Sequence, residues 1–283
     1  GTLWLLVAMG AFAALLDGIR VMRGGARSGL AASLGWTVAY PLALAALLYA
    51  MPATQSIIVQ AALTLAILVP LGPLMYRLAY QPVAEGSVLV LLIVSVAIHV
   101  SMVGLGLLFF GAEGSRTPAF SDAQFSVGAL AISGQQVWVI VASAALIVGL
   151  WLFFDRSLYS KALRATAINL NGARLMGFSP VFAGKLTFVL AAFIGVLSGI
   201  LIAPLTTIYY DTGFLIGLKG FVAAIIGGLG SYPLAAAGAL LVGLLESFSS
   251  FWASAYKEVF VFTLIIPVLV WRSLTSHHIE EDE

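Results

Sequence analysis

Apolar residues run along this chain in long unbroken stretches rather than alternating with polar ones. Wound as α-helix, a stretch of about 20 such residues matches the hydrocarbon thickness of a bilayer. Segments of this kind lie near 2–19, 30–50, 56–76, 87–111, 135–154, 185–205, 213–230, 233–251 and 257–272. The period-two pattern of a membrane β-barrel strand does not occur in them. Two longer polar connections stand out. One is Gly111–Gly134, which carries Glu113, Arg116, Pro118 and Asp122 and reads either as a plain solvated loop or as a docking surface for an external partner. The other is a basic island, Asp155–Lys185, reading DRSLYSKALRATAINLNGARLMGFSPVFAGK.

The island sets the orientation. It holds Arg156, Lys161, Arg164, Arg174 and Lys185 against a single acid, Asp155, with helix-forming content followed by the breakers Gly177 and Pro180. Loops rich in Lys and Arg stay in the cytoplasm. Placing the island there fixes every other loop by alternation. Arg20, Arg23, Arg27, Arg77 and Arg272 then fall on the same side, Arg116 and Lys257 fall outside, and Lys219 lies within a span. The N-terminus comes out external and the acidic tail Glu280–Glu283 cytoplasmic.

Composition sharpens the class. Hydrophobic residues make up 61% of the 283 and charged residues 9%, with a mean hydropathy of +1.09. Soluble domains carry about 25% charged residues, so that class is excluded. The expectation is an all-α polytopic membrane protein of eight or nine transmembrane helices. It is read as a single integral domain over 1–283, with 155–185 a cytoplasmic loop and 273–283 a polar cytoplasmic tail. A net charge of +1 offers nothing for bulk nucleic acid. With no cysteine there is neither a disulfide framework nor a thiolate metal site, and no metal ligand set is expected. Because the chain begins at Gly1 rather than Met, a few residues are expected to precede it. Its first apolar run is read as a span, not a signal peptide.

An ionisable group at membrane depth costs about 2.5–3.5 kcal/mol on insertion scales, so each one should face protein or water. Lys219, in GFLIGLKGFVAAIIGGLGS, would either pair with an acid on a neighbouring helix or neutralise a carboxylate on a substrate. Glu246, in LLVGLLESFSS, is a candidate partner. His99 reads as a hydrogen-bonded packing residue or a proton relay. Asp17 is expected to reach towards Arg20, three residues on. Glycines at 213, 217, 220, 227, 228 and 230 predict a short or broken helix lining a cavity. The GGLGS run at 227–231 reads as a tight turn and lacks the lysine of a phosphate-binding loop. HExxH, GxSxG and paired intramembrane carboxylates are absent from the sequence, so no enzyme is expected.

Particular stretches carry a family resemblance. Tyr209–Arg272 resembles the C-terminal half of LivH-type permeases of the branched-chain amino acid group of ABC importers. The likeness rests on Gly217-Leu-Lys-Gly-Phe221, Gly227-Gly-Leu-Gly-Ser231, Glu246 and Tyr256-Lys257-Glu258. RATAINLNGARLMGFSP at 164–180 is similar to that family's coupling segment. MYRLAYQPV at 75–83 and LFFGAEGSRTPAF at 108–120 resemble its inner loop and first outer loop. GTLWLLVAMG looks like its first span, entered about a dozen residues late. Two departures are visible. Val21-Met-Arg-Gly-Gly-Ala26 replaces an Asn-Phe-Ala-His-Gly-Glu-like stretch, and Trp271-Arg-Ser-Leu-Thr-Ser276 replaces a closing Arg-Pro-x-Gly-Leu pattern.

The resemblance implies a type-II-like ABC importer permease in the bacterial inner membrane. Its cargo would be a branched-chain amino acid or a related amide, urea or carboxylate. The implied partners are a second permease subunit (LivM-like, or a second copy), two cytoplasmic ATPases that bind the ATP and magnesium, and a periplasmic binding protein. No cofactor is expected on this chain. Arg164–Phe178 would form the coupling helix, with Arg164, Asn169, Asn171, Ala173, Arg174, Gly177 and Phe178 as its candidate residues and Gly177 as its stop. Gly217, Lys219, Gly220 and Glu246 are the candidates for the translocation path. The competing classes are a secondary transporter or channel without an ATPase, and a membrane scaffold subunit.

Overall fold

A computed structural model describes residues 1–23, 33–51, 56–127, 130–228 and 231–275. Arg27, Gly24–Ala26, Gly230 and the tail Glu280–Glu283 lie outside the described residues. The chain forms two compact units, Gly1–Ile140 with Leu158–Tyr210, and Val141–Ser157 with Asp211–Glu283.

The first unit begins with α1 (Thr2–Met22), followed by a π-helical turn, Gly35–Ala39, that runs straight into α2 (Tyr40–Ala50). Next come α3 (Ile57–Leu68) and α4 (Leu71–Met75). The latter continues as a second π-helical turn, Tyr76–Tyr80, and a 3-10 turn, Gln81–Val83. That run carries the third apolar segment past its expected end near residue 76. Ser87 opens α5 (Val88–Phe110) by accepting from the Val90 N–H, and Gly111, at φ +76°, closes it.

Lipid is as apolar as leucine, so helices in a membrane are held by close packing and polar contacts. Gly10 lies against the Thr37 carbonyl, where any side chain would collide, and this brings α1 onto the π turn. Thr37 is wholly buried there, its hydroxyl donating to the Ser33 carbonyl at 2.8 Å. The core beside it is Leu6, Ala13, Leu44, Leu71 and Leu74. By contrast α5 buries none of its residues. Val88, Leu89, Leu92, Ile93, Val96 and Val100 all face outward on it, as on a helix solvated by lipid or by another apolar chain.

The connection 111–134 is a built structure rather than a plain loop. Strands β1 (Gln124–Val127) and β2 (Leu130–Ser133) pair antiparallel, Gln124 opposite Ser133. A bridge joins Ser115 and Ile208 in both directions, at 2.8 and 2.9 Å. Arg116 donates to the Pro204 carbonyl at 3.0 Å. Gln135, 2% exposed at the start of α6 (Gly134–Arg156), accepts from the Phe120 N–H at 2.9 Å and donates to the Leu201 carbonyl at 2.8 Å.

After α6 come α7 (Leu158–Ile168), α8 (Leu170–Leu175) and α9 (Pro180–Ile202). The last starts five residues earlier than the apolar pattern suggests. Ser179 caps it and Pro180 takes the first turn, where its missing N–H costs nothing. Lys185 is thereby drawn out of the basic island and into a helix. Gly72 of α4 meets the Phe188 backbone, and Gly184 of α9 leaves room for the Tyr76 ring, so the two runs cross closely.

The second unit holds α10 (Thr212–Ile226), α11 (Tyr232–Ala253), a 3-10 turn at Ser254–Tyr256, α12 (Lys257–Thr263) and α13 (Ile265–Thr275). At 15 residues α10 is the short glycine-rich helix that the sequence predicts. Its C-terminus stops at Gly227, and Gly228 follows at φ +84°. Gly238 lies against the Ala223 carbonyl and Gly227 against the Ala235 backbone, so α10 and α11 pack as a tight pair over Val222, Ala223, Val242 and Val261.

Among the described residues six helical runs are long and apolar enough to cross a membrane, and Gly35–Ala50 and Thr212–Ile226 are shorter apolar helices. The longest run, Pro233–Trp271, is interrupted at Ala253, whose φ of −151° and ψ of 66° leave the helical region. This is an all-α polytopic membrane fold with one small hairpin.

Gln135 supplies both hydrogen-bond partners at a buried junction, so Gln135→Leu strands a carbonyl and an N–H. The expected cost is about 1–3 kcal/mol, read as a lower thermal midpoint of the detergent-solubilised protein. Gln136→Leu, one residue on, gives up only an exposed acceptor for the Ser133 N–H and should lower the midpoint by less.

Candidate functional site

The basic island folds as two helices rather than the single one expected over Arg164–Phe178. Asn169 breaks it, with φ −144° and ψ 101°. Its side chain accepts the Gly172 N–H at 2.8 Å, which a mid-helix residue could not do. Asparagine competes with the helix for backbone groups and so favours the cap. At the other end the Phe178 N–H returns to the Ala173 carbonyl, and Gly177 sits at φ +85°, the left-handed residue that ends the helix as expected.

These roles sort the candidate coupling residues. Asn169 and Gly177 shape the ends of α8, and Ala173 is buried beneath it, 4% exposed. Arg174 is not free, since its guanidinium donates to Glu85 at 2.7 Å. Arg164 and Asn171 lie on the exposed side, and Phe178 is partly exposed. What α8 and its flanks present most fully is apolar: Ile168 is 87% exposed, Leu175 89% and Met176 78%. Sequence reasoning passed over these three because they look like ordinary membrane residues. The signal that could have found them was their place within the basic island.

A second cluster ties α1 to the turn after α4. Arg77 pairs with Asp17 and donates to the Ser33 hydroxyl at 3.0 Å, while Ser33 donates to the other oxygen of Asp17. Asp17 therefore takes its direct contacts from Arg77 and Ser33 rather than from Arg20, to which local spacing pointed. Arg20 points outward on the same helix, whereas the planar fork of Arg77 reaches Asp17 from a packed neighbour.

In the second unit Lys219 donates to Glu246 at 2.6 Å and to Glu258 at 3.1 Å, joining α10, α11 and α12. Of the two roles open to Lys219, the structure shows the ion pair, and it adds a second acid that the sequence reading had not enlisted. The other Glu258 oxygen is buried without a hydrogen-bond partner among the described residues. Lys219, Val222, Ala223 and Ile226 share the face of α10 that packs on its neighbours. Gly213, Gly217 and Gly220 share another, where an added side chain would meet nothing within 4 Å. The candidates proposed for one path thus divide between two faces: Lys219 and Glu246 brace helices, and Gly217 and Gly220 line an open side. His99 sits half-buried on α5.

Residues 2–269 match the family described as branched-chain amino acid transport system, permease component. The high-affinity branched-chain amino acid transport system permease protein BraD of Pseudomonas aeruginosa is 32% identical over 203 residues, 69% of this chain and 66% of that protein. The corresponding LivH protein of Escherichia coli K12 is 31% identical over 201 residues, 69% of this chain and 65% of its own length. A probable branched-chain amino acid transport permease protein LivH of Methanocaldococcus jannaschii is 26% identical over 201 residues, covering 68% of this chain and 64% of that one. The chain thus spans just under two thirds of the length of these relatives. No solved structure matches it.

Lys219→Met leaves two carboxylates facing each other at membrane depth and should cost about 3 kcal/mol or more. The triple change Lys219→Met, Glu246→Gln, Glu258→Gln removes the charge imbalance. It should recover most of the lost thermal stability, which a scan of the purified protein would measure.

Proposed function

Since this chain belongs to the family of branched-chain amino acid transport permease components, we propose that it is one permease subunit of an ATP-driven importer of small polar solutes. The cargo is a branched-chain amino acid or a related amide, urea or carboxylate. It sits in a bacterial inner membrane, with the basic island and the C-terminus in the cytoplasm. A second permease, LivM-like or another copy, completes the membrane part. Two cytoplasmic ATPases carry ATP and magnesium, and a periplasmic binding protein delivers the solute. The permease is not itself an enzyme and works as a single integral unit.

The observation that carries this reading is the exposed tip of α8. Leu175 on α8, Met176 just after it and Ile168 just before its Asn169 cap are nearly bare, and the short helix between is fixed by that cap, its buried Ala173 and its Gly177 stop. Arg164 and Arg174 flank them. Apolar anchors inside a rim of cations fit a groove on a soluble partner with an acidic edge. Asn171 offers amide hydrogen bonds on the exposed side of the same helix. In this reading the seven candidate coupling residues divide into those that build α8 and those that touch the ATPase. The solute path runs where the two permeases meet, lined by the open Gly217 and Gly220 face of α10. Lys219 and Glu246 brace that helix from behind. ATP binding shifts the permease pair between outward and inward states only insofar as the docked contact differs in energy between them.

The test is co-purification and uptake. The full complex, reconstituted in vesicles with its binding protein, should accumulate solute only with ATP. Leu175→Asp with Met176→Asp places charge on the docking tip. The ATPase should then fall away from a permease that still inserts and melts normally, with uptake lost. ATP-independent uptake by the wild-type complex would support the secondary transporter or channel instead. An ATPase retained by the double variant would overturn the docking role.

A further inference from the structure

We propose that Arg77 and Glu85, at the two ends of one short run, are positioning residues that relay movement of α8 to α1. The proposal rests on the importer reading above and names the intramolecular route that the reading leaves open.

Three contacts define the route. Glu85, in the turn just before α5, accepts from Arg174 on α8 at 2.7 Å. Arg77, on the π-helical turn Tyr76–Tyr80, holds Asp17 on α1 together with Ser33. Between the two, Tyr76 and Tyr80 pack against Phe188 of α9, with ring centroids 5.4 and 4.8 Å apart. The Tyr76 ring also fills the space left by Gly184. Since α9 begins four residues after α8 ends, a displacement of α8 reaches the π turn twice, through Glu85 and through the α9 rings.

The π turn itself is an expected place for such a relay. Its closing bond runs from the Gln81 N–H to the Tyr76 carbonyl, one residue wider than an α turn. Wide turns of this kind recur at functional sites. The Tyr80 hydroxyl donates to Ser95 on α5 at 3.0 Å, so the turn is also referenced to a third helix.

The energetics fit a moving contact rather than a structural one at the outer end. The side chains of Glu85 and Arg174 are 76% and 47% exposed, and an ion pair so open to water adds little to folding. Such a pair can be made and broken within a transport cycle. Asp17 and Arg77, at 17% and 23% exposure, are the opposite: a lasting grip that carries the turn's position into α1. Lys185, on the first turns of α9, adds a second cation to the electrostatic surroundings of Asp17 and Arg77.

The test uses the whole complex in vesicles, with solute uptake and ATP hydrolysis measured together. The wild-type complex must first show ATP-driven uptake; without it the importer reading fails, independently of the relay. Glu85→Arg should then lower the number of solutes moved per ATP by about two- to fivefold, the size expected of an exposed pair. Hydrolysis and ATPase binding should be retained. Glu85→Asp keeps the charge that faces Arg174 and should hold the ratio near that of the wild type. Joint Asp17→Asn and Arg77→Gln removes both buried charges and should lower the same ratio, whereas a merely structural clamp would change only the yield of assembled complex. If Glu85→Arg does not assemble, Glu85→Gln is read in the same way. An unchanged ratio overturns the relay. So does a ratio that falls as far in Glu85→Asp as in Glu85→Arg, since the charge facing Arg174 would then not matter.

Discussion

A charge at membrane depth has to find its opposite within the protein, and much of this fold is arranged around that requirement. Water is not there to solvate it, and the cost of leaving it alone rivals a large part of a small protein's stability. The chain keeps few charged residues, and two groups of them lie within the apolar helices. Each group draws together helices that are distant in sequence. Asp17 and Arg77 are 60 positions apart, and Lys219 and Glu258 are 39 apart. In a soluble protein such contacts would be decorations on a hydrophobic core. Here the hydrophobic effect does not distinguish a helix neighbour from a lipid chain, so the ion pairs and the close backbone crossings specify which helices meet.

The glycines complete that logic. Gly10, Gly72, Gly184, Gly227 and Gly238 each lie where a side chain would strike a neighbouring backbone or ring. They sit beside the charged groups rather than at random: Gly10 on the helix of Asp17, Gly72 and Gly184 around the turn of Arg77, Gly227 and Gly238 along the pair braced by Lys219. Close approach shortens the span a side chain must bridge, and a paired charge in turn fixes the rotation of the helix that carries the glycine. The open Gly213, Gly217 and Gly220 face of α10 is a different case. Among the described residues nothing lies within 4 Å of where a side chain would stand, so close packing inside the chain does not account for these three.

The apolar runs placed the helices because length and continuity are what a bilayer demands, and those survive any detail of packing. Ends were harder. α4 overran its expected limit because two irregular turns carry on a rod that hydropathy sees as ending at a polar pair, and α9 started early because Ser179 and Pro180 make a good first turn before the apolar run begins. The partner of Asp17 was misread for a general reason. A neighbour at helical spacing is visible in the sequence, while a guanidinium 60 residues away is visible only once the backbone is folded. Lys219 and Glu246 could be suspected as a pair from depth alone, but the second acid, Glu258, sits after a break in the helix that hydropathy does not show. The hairpin at 124–133 left no mark in hydropathy because it is too short to bury a face.

The basic island shows why polar residues are a poor guide to a docking surface in such a chain. In a loop, Asn, Gly and Arg first answer the needs of the backbone. Asn169 supplies a cap, Gly177 a left-handed stop, and Arg174 an ion pair to the neighbouring turn. Their best-aligned contacts are therefore made within the chain. The residues with nothing left to do inside the chain are Ile168, Leu175 and Met176, whose exposure to water is costly by itself. A membrane protein carries an excess of such residues, and inside the spans they mean only lipid. Within the basic island, beside a capped helix, their exposure is what the proposed docking of a partner would relieve.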